Sequence, residues 1–262
     1  GEPRRHSLKA ANAHHLFADS EHRQVVETTL RDDTPLPSEA IYFYEEDKSG
    51  GCSFGHLVLD EIRAAVPRLK QNDYTARNAD VFCYIFTSGT TGLPKAAIIR
   101  NQRFLGAAYL FGSMMHECNE GDIIYVTLPL YHTNAMLLGW GSALAMGAGI
   151  ALRRKFSTSA FWSDISRYRA TSFVYIGELC RYLLNSPPDI AERDHRLRVA
   201  VGNGLRPDIW NTFVERFNIP LMREFYGSTE GNAPAINFSG RPGMIGKLGH
   251  NQWVLRCDAS TG

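Results

Sequence analysis

The sequence predicts an α/β fold: a mostly parallel sheet with helical crossovers. Short apolar, β-rich runs alternate with helical stretches along most of the chain. Over 123–152 the strand runs are apolar throughout rather than every second residue, as strands covered on both faces require. Glycine-bearing segments follow several of them, where open α/β sheets bind ligands at strand carboxyl ends.

Taken in order, a strand near 14–18, a helix from Ser20 and a strand over 41–44 precede a polar insert through Gly50, Gly51 and Gly55. A strand over 81–86 leads through a glycine-rich loop to a strand over 96–100. Helix 103–116 precedes strand 123–128, and helix 136–146 precedes strand 149–153. Helix 160–169 leads to strand 172–176, followed by helix 179–184, strand 198–201, helix 208–217 and strand 222–225. Such alternation closes into right-handed crossovers. Gly240, Pro242 and Gly243 then predict loops and short strands.

The chain has 262 residues, enough to bury roughly 70% of its unfolded surface in one or two cores. Lys and Arg number 28 against 27 Asp and Glu, a net charge of +1, so no field across the whole chain recruits nucleic acid. Any basic site is local, and Arg153-Arg154-Lys155 is the short run that could meet anionic headgroups or simply be solvated. Cys52, Cys83, Cys118, Cys180 and Cys257 are scattered, without Cys-x-x-Cys spacing. They read as free thiols, against a disulfide framework or structural zinc and in favour of a reducing, cytoplasmic setting. Residues 123–152 carry no charge apart from a titratable His132, long enough to raise the question of a membrane span. Pro129, His132, Asn134, Gly139, Gly141, Gly147 and Gly149 instead divide the stretch into strand, loop, helix and strand.

The run Thr87-Ser88-Gly89-Thr90-Thr91-Gly92-Leu93-Pro94-Lys95 follows an apolar strand and suits phosphate. Its glycines let backbone approach a ligand, its amides and hydroxyls are donors, and Lys95 supplies charge. It is not a Walker A loop, because the glycines are three apart and Lys95 is followed by Ala96 and a strand rather than by Ser or Thr and a helix.

This run resembles the AMP-binding signature of the adenylate-forming superfamily. Glu224-Phe225-Tyr226-Gly227-Ser228-Thr229-Glu230 resembles that family's second nucleotide motif, expected on another strand of the same sheet. The stretch from Tyr175 to Asn185, Gly202-Asn203-Gly204-Leu205-Arg206 and Arg154-Lys155-Phe156-Ser157 resemble the fatty acid transport protein branch, the very-long-chain acyl-CoA synthetases. The resemblance is dense over 80–232. It implies a partial α/β subdomain with a polar insert over 1–79, a nucleotide- and acyl-binding α/β subdomain over 80–232, and the start of an incomplete following subdomain over 233–262. Members of the family are longer at both ends, so an internal piece of the large N-terminal domain is expected, lacking the late ribose-binding aspartate motif and the C-terminal catalytic lysine.

The resemblance implies ATP-dependent activation of a long or very-long-chain fatty acid to acyl-CoA through an acyl-adenylate, with ATP/AMP, Mg2+ and CoA as cofactors or co-substrates. Lys95 with Thr87, Ser88, Gly89, Thr90, Thr91 and Gly92 would hold the departing phosphates. Thr229 would contact the α-phosphate and Glu230 would bind the metal, a hard cation that takes one or two carboxylates plus phosphate and water oxygens. Tyr226, with Gly227 and Ser228 beside it, would lie against adenine, and Gly202, Asn203 and Gly204 would form the other wall. His132 would sit beside the acyl carboxylate, or else be a hydrogen-bonded core histidine. Gly177 would line the acyl site, while Glu178 reads as a helix N-terminal charge. Trp140 and Trp162 read as core. Two other functions remain open: adenylation of a different carboxylic acid, and a fatty-acid binding or uptake module regulated by nucleotide. Peripheral membrane contact is compatible with each, and the oligomeric state is not legible.

Overall fold

The computed structural model describes residues 2–30, 36–44, 56–57, 75–88, 92–231, 234–250, 252–253, 255 and 257–258. The polar insert through Gly50, Gly51 and Gly55 lies outside the described residues. The chain divides into two compact units, Gly1–Arg77 with Phe86–Ile98 and Asn78–Ile85 with Ile99–Gly262.

The first unit contains α1 (Glu2–Ala10), β1 (Leu16–Asp19), a 3-10 turn (Ser20–His22), α2 (Arg23–Leu30), β2 (Ile41–Tyr44) and β3 (His56–Leu57). The three strands are parallel, with Leu16 opposite Ile41 and Phe43 opposite Leu57. Leu30, Leu36, Ile41 and Phe43 form its core, with Leu8, Leu16 and Val26 packed against them. The helix expected from Ser20 opens with the 3-10 turn, capped by the Asp19 carboxylate accepting from the Glu21 N–H. Helix α1 was not foreseen. It buries none of its residues, so it has no apolar stripe to betray it.

β4 (Val81–Thr87) and β5 (Lys95–Arg100) form a two-stranded sheet of their own, and the division between units passes through both strands. The expectation that the signature loop and the second motif leave strands of one sheet is therefore corrected. An outgoing strand and its immediate return satisfy each other's backbone groups, and sequence alternation does not reveal that they stop there.

The second unit is organised by a seven-stranded sheet of β6 (Ile123–Val126), β7 (Gly149–Leu152), β8 (Ser172–Ile176), β9 (Val199–Asn203), β10 (Met222–Tyr226), β11 (Ala235–Asn237) and β12 (Lys247–Leu248). Its order is β7-β6-β8-β9-β10-β11-β12. The first five strands are parallel and the last two antiparallel. The helical elements are α3 (Asn101–Leu110), a π-helical turn (Phe111–Met115), a π-helical segment (Asn134–Gly141), α4 (Ser142–Met146), α5 (Thr158–Tyr168), α6 (Gly177–Asn185) and α7 (Pro207–Phe217). The charge-free stretch 123–152 is thus strand, loop, helix and strand, and no helix among the described residues is long and apolar enough to cross a membrane.

Strand alternation fills two cores. Tyr125, Phe173, Tyr175 and Ala200 face one side with Phe161, Trp162, Leu183 and Phe213. Ile124, Val126, Val174, Val199 and Val201 face the other with Phe104, Phe111, Met115 and Leu137. Each fully buried side chain of this size stabilises by about 1.5–3 kcal/mol. The helices expected over 103–116 and 136–146 are both part π-helical. Hydrophobic periodicity cannot report a local change in residues per turn. Glycines mark the contact between them: a Cβ at Gly112 would lie 2.7 Å from Met146 Cγ, and one at Gly141 would lie 3.2 Å from Ala108 Cβ.

Two arginines secure the end of the first π-turn. Arg198 donates to the carbonyls of His116 and Glu117, each at 2.8 Å, and pairs with Asp122 at 2.8 Å. Buried Arg223 donates to the Met114 and Met115 carbonyls at 2.8 Å and to the Phe238 carbonyl at 2.9 Å, and pairs with Glu117. Carbonyls at a helix end that would otherwise lack partners are thereby satisfied. His116 beside them is fully buried. Its Nε2 donates to the Leu138 carbonyl at 3.1 Å, which leaves Nδ1 to accept from the Ser172 hydroxyl at 2.6 Å.

Burial, aided by the charges of Arg198 and Arg223, pushes the His116 pKa from 6.5 down to about 3. A histidine held neutral in the fold and free to protonate when unfolded stabilises fully above its unfolded pKa and progressively less as pH falls towards the folded value. Between pH 7.5 and pH 4.5 the wild type is expected to lose about 2–3 kcal/mol more than His116→Gln, measured by denaturant unfolding across pH.

Candidate functional site

A cleft of about 480 Å³ opens at the carboxyl ends of β9 and β10. One wall runs from Asn203 to Pro207, the other from Glu224 to Gly227, and Met244 and Ile245 border it. Tyr226 ends β10 and is 61% exposed, so its ring is a surface of the cleft rather than part of the core. Gly202 is buried inside β9. A Cβ there would lie 2.2 Å from the Tyr175 carbonyl oxygen, so the need for glycine is a packing one, while Asn203 and Gly204 line the cleft. Gly204 has φ +79° and lies so close to the start of α6 that a Cβ on Gly177 would sit 1.6 Å from the Gly204 oxygen.

The floor is tied by one buried carboxylate. Glu224 accepts the Leu205 N–H at 2.7 Å and the Tyr175 hydroxyl at 3.0 Å, linking β8, the loop after β9, and β10. Burial raises its pKa, and the donors of Leu205, Tyr175 and Gly204 pull part of that shift back. Burial also raises the Tyr175 phenol, reinforced by the Glu224 charge.

Further along the rim, the segment after β6 meets the second motif. The Thr133 hydroxyl donates to Thr229 Oγ1 at 3.1 Å, and the Asn134 amide donates to Asn203 Oδ1 at 2.6 Å. His132 is exposed on this turn, its ring 4.6 Å from that of Tyr131, and is not a core histidine. A turn over 228–231 closes with the Gly231 N–H on the Ser228 carbonyl at 2.9 Å, leaving Glu230 exposed. The Arg103 guanidinium also donates to the Ser228 carbonyl, at 3.2 Å.

The signature loop belongs to the first unit, whereas Thr229 and Glu230 belong to the second. Thr87 ends β4 and its hydroxyl lies 3.5 Å from the Lys95 carbonyl, across the mouth of the loop. Ser88 and Lys95 are exposed, and Gly92 has φ +93° with nothing within 4 Å of a would-be Cβ. Gly89, Thr90 and Thr91 lie outside the described residues.

The structure thus brings Asn203, Gly204, Tyr226 and Gly227 to one cleft and ties Thr229 to the segment that follows His132. Sequence reasoning missed Arg103, Thr133, Asn134 as a partner of Asn203, and Glu224 as a knot. Asn134 carried a signal as a breaker in an apolar stretch, and Glu224 as the first residue of the second motif. Glu178 pairs with Arg181 in the first turn of α6, which holds its carboxyl down to about 2. Trp162 is buried and stacks on His195, and Trp140 packs on Phe104. Arg153 pairs with Asp164, so the basic run is partly tied down. The described cysteines Cys83, Cys118, Cys180 and Cys257 are free thiols. No group of three or more His, Cys, Asp or Glu among the described residues could hold a metal alone.

A largely parallel sheet with a cleft at the carboxyl ends of adjacent strands, bordered by glycine-bearing turns, is the arrangement in which α/β domains hold ligands. The chain belongs to the AMP-binding enzyme family, whose profile matches residues 2–261. It is 51% identical over 164 residues to long-chain fatty acid transport protein 6 of Mus musculus, covering 63% of this chain and 26% of that protein. It is 37% identical over 251 residues to long-chain fatty acid transport protein 2 of Rattus norvegicus, covering 94% of this chain and 39% of that protein. A medium/long-chain-fatty-acid–CoA ligase, FadD6 of Mycobacterium tuberculosis, is 47% identical over 167 residues, 64% of this chain and 28% of that one. The branch expected from the motifs is the one these relatives represent, and the chain spans 26% to 39% of their lengths. The anthranilate CoA ligase AuaEII with anthranoyl-AMP shares the fold at TM-score 0.79 and 21% identity, over 94% of this chain and 47% of that one. A benzoate CoA ligase from Burkholderia xenovorans does so at TM-score 0.76 and 19% identity, over 93% of this chain and 47% of that chain.

The closeness of Gly177 to Gly204 makes a sharp prediction. Gly177→Ala is expected to cost about 3 kcal/mol or more, because backbone rather than a flexible side chain blocks the new methyl. Gly106→Ala, on the exposed face of α3 with nothing within 4 Å, is expected to stabilise by about 0.5–1 kcal/mol. Urea unfolding of both variants measures the contrast.

Proposed function

We propose that the chain carries the nucleotide- and acyl-binding part of an acid–thiol ligase that activates long or very-long-chain fatty acids with ATP. The observation that carries this reading is the cleft between Asn203 and Tyr226, formed by two motifs of an AMP-binding family whose similar members include long-chain fatty acid transport proteins and a fatty-acid–CoA ligase. In the first step a carboxylate oxygen attacks the α-phosphorus of ATP and pyrophosphate leaves. In the second the CoA sulfur attacks the acyl carbon and AMP leaves.

The residues serve this chemistry by positioning and charge. Tyr226 offers a ring face to the base, with Asn203 and Gly204 opposite. The Thr87 to Gly92 loop and Lys95 hold the departing phosphates, and Thr229 contacts the α-phosphate. His132, exposed on the turn after β6, sits beside the carboxylate. Glu230 is an exposed single carboxylate with no acidic cluster around it among the described residues, which suits Mg2+ completed by phosphate and water oxygens. Bound there, the metal would neutralise charge on the phosphates.

The setting proposed is cytoplasmic, at the cytoplasmic face of a membrane, in keeping with the free thiols and with fatty acid as substrate. A second reading, a fatty-acid uptake module in which nucleotide regulates, is favoured by the names of the transport-protein relatives. Mass-spectrometric detection of oleoyl-AMP made by the full-length protein separates the two. Lys95→Ala and Glu230→Gln are each expected to lower adenylate formation by about 100-fold or more while leaving fatty-acid retention intact. Retention without adenylate in the wild type would overturn the ligase reading.

A further inference from the structure

We propose that Arg103 is a positioning residue for the turn that carries Thr229 and Glu230; this rests on the reading of Glu230 as the metal-binding carboxylate. Arg103 lies in the first turn of α3, far from the motif in sequence, and both belong to the second unit. Its Nη2 donates to the Ser228 carbonyl at 3.2 Å, the same oxygen that closes the turn by accepting the Gly231 N–H at 2.9 Å. Thr229 and Glu230 are the two central residues of that turn, so this carbonyl is its anchor.

Gly231 completes the argument. Its φ of +68° lies in the left-handed region, and a Cβ there would lie 2.4 Å from Arg103 Nη2, 2.6 Å from Cζ and 3.0 Å from Nη1. All three atoms crowd one point, so the guanidinium covers the glycine rather than touching it with one tip. The glycine therefore answers two demands at once, a backbone conformation and room for the arginine. Glu230 acts on Arg103 by charge as well. Thr133 donates to Thr229 in the same turn. The turn is held by two partners while Glu230 is left exposed.

A planar fork of donors is what this role needs. A lysine ammonium can reach one carbonyl but cannot also cover the glycine. Residues that orient a metal ligand without touching the metal alter its affinity by about 10- to 100-fold when removed.

The test uses the full-length protein with Mn2+ and ATP as probes. Mn2+ binding in the presence of ATP is followed by electron paramagnetic resonance, amide exchange is followed over 228–231, and kcat and KM are measured for adenylate formation. Arg103→Met is expected to weaken Mn2+ binding by about tenfold or more, to speed exchange in the turn but not in α3 or β10, and to lower kcat with the fatty-acid KM unchanged. Arg103→Lys is expected to recover part of each loss. Gly231→Ala, which displaces the guanidinium without removing it, is expected to reproduce the Arg103→Met pattern and serves if that variant does not fold. Wild-type metal affinity in either variant, or loss of protection spread evenly through α3 and β10, would overturn the proposal. If the wild type itself neither binds Mn2+ with ATP nor forms adenylate, the function proposed above falls. Exchange over 228–231 then decides the part played by Arg103 on its own, and unchanged exchange in Arg103→Met overturns it.

Discussion

The rim of the second unit depends on one buried carboxylate. Glu224 joins a hydroxyl from β8, an amide from the loop after β9 and its own strand β10, and it does so from a site that burial makes unfavourable for charge. Such a group is tolerated when its donors are fixed, and here they are fixed by contacts that leave no slack. Gly202 lies under Tyr175, and Gly177 lies against the Gly204 carbonyl. The cleft walls are therefore spaced by backbone packing, with the Glu224 hydrogen bonds holding the loop after β9 in register with β10.

The same economy of polar groups recurs below the rim. His116 is neutral and doubly hydrogen-bonded inside a core that is otherwise aliphatic and aromatic. Arg198 and Arg223 neutralise Asp122 and Glu117 while taking up the carbonyls at the end of the π-turn. Buried charge of this kind adds little net stability against an apolar alternative, but removing one partner leaves the other stranded. The arginines thus define how the helical layer ends and where β6 begins.

Much of this was legible in the sequence. The strands β6, β8 and β9 announce themselves as short apolar runs, because burial on both faces removes the polar alternation that would blur them. The family was legible from two motifs, because glycine and hydroxyl residues at those spacings serve few other purposes. What escaped notice has physical reasons. Helix α1 has no fully buried residue. The π-helical segments keep an apolar composition while shifting register. The pairing of β4 with β5 alone depends on where their backbone groups find partners, not on their side chains. Arg103, Thr133, Asn134 and Glu224 are single polar residues whose meaning lies in partners from 19 to 125 positions away. A surface arginine and a motif-anchoring arginine look the same in a string of letters.

The strand order has a consequence for how the chain assembles. β6 and β7 pair first in sequence, β8 joins the open side of β6, and β9, β10, β11 and β12 then follow one another outward. Every later strand docks on the margin left by its predecessor, so a chain emerging from the ribosome could build this layer by accretion without parting a ladder already made. Only when β10 arrives does Glu224 reach Tyr175 and Leu205, so the cleft is among the last features to take shape.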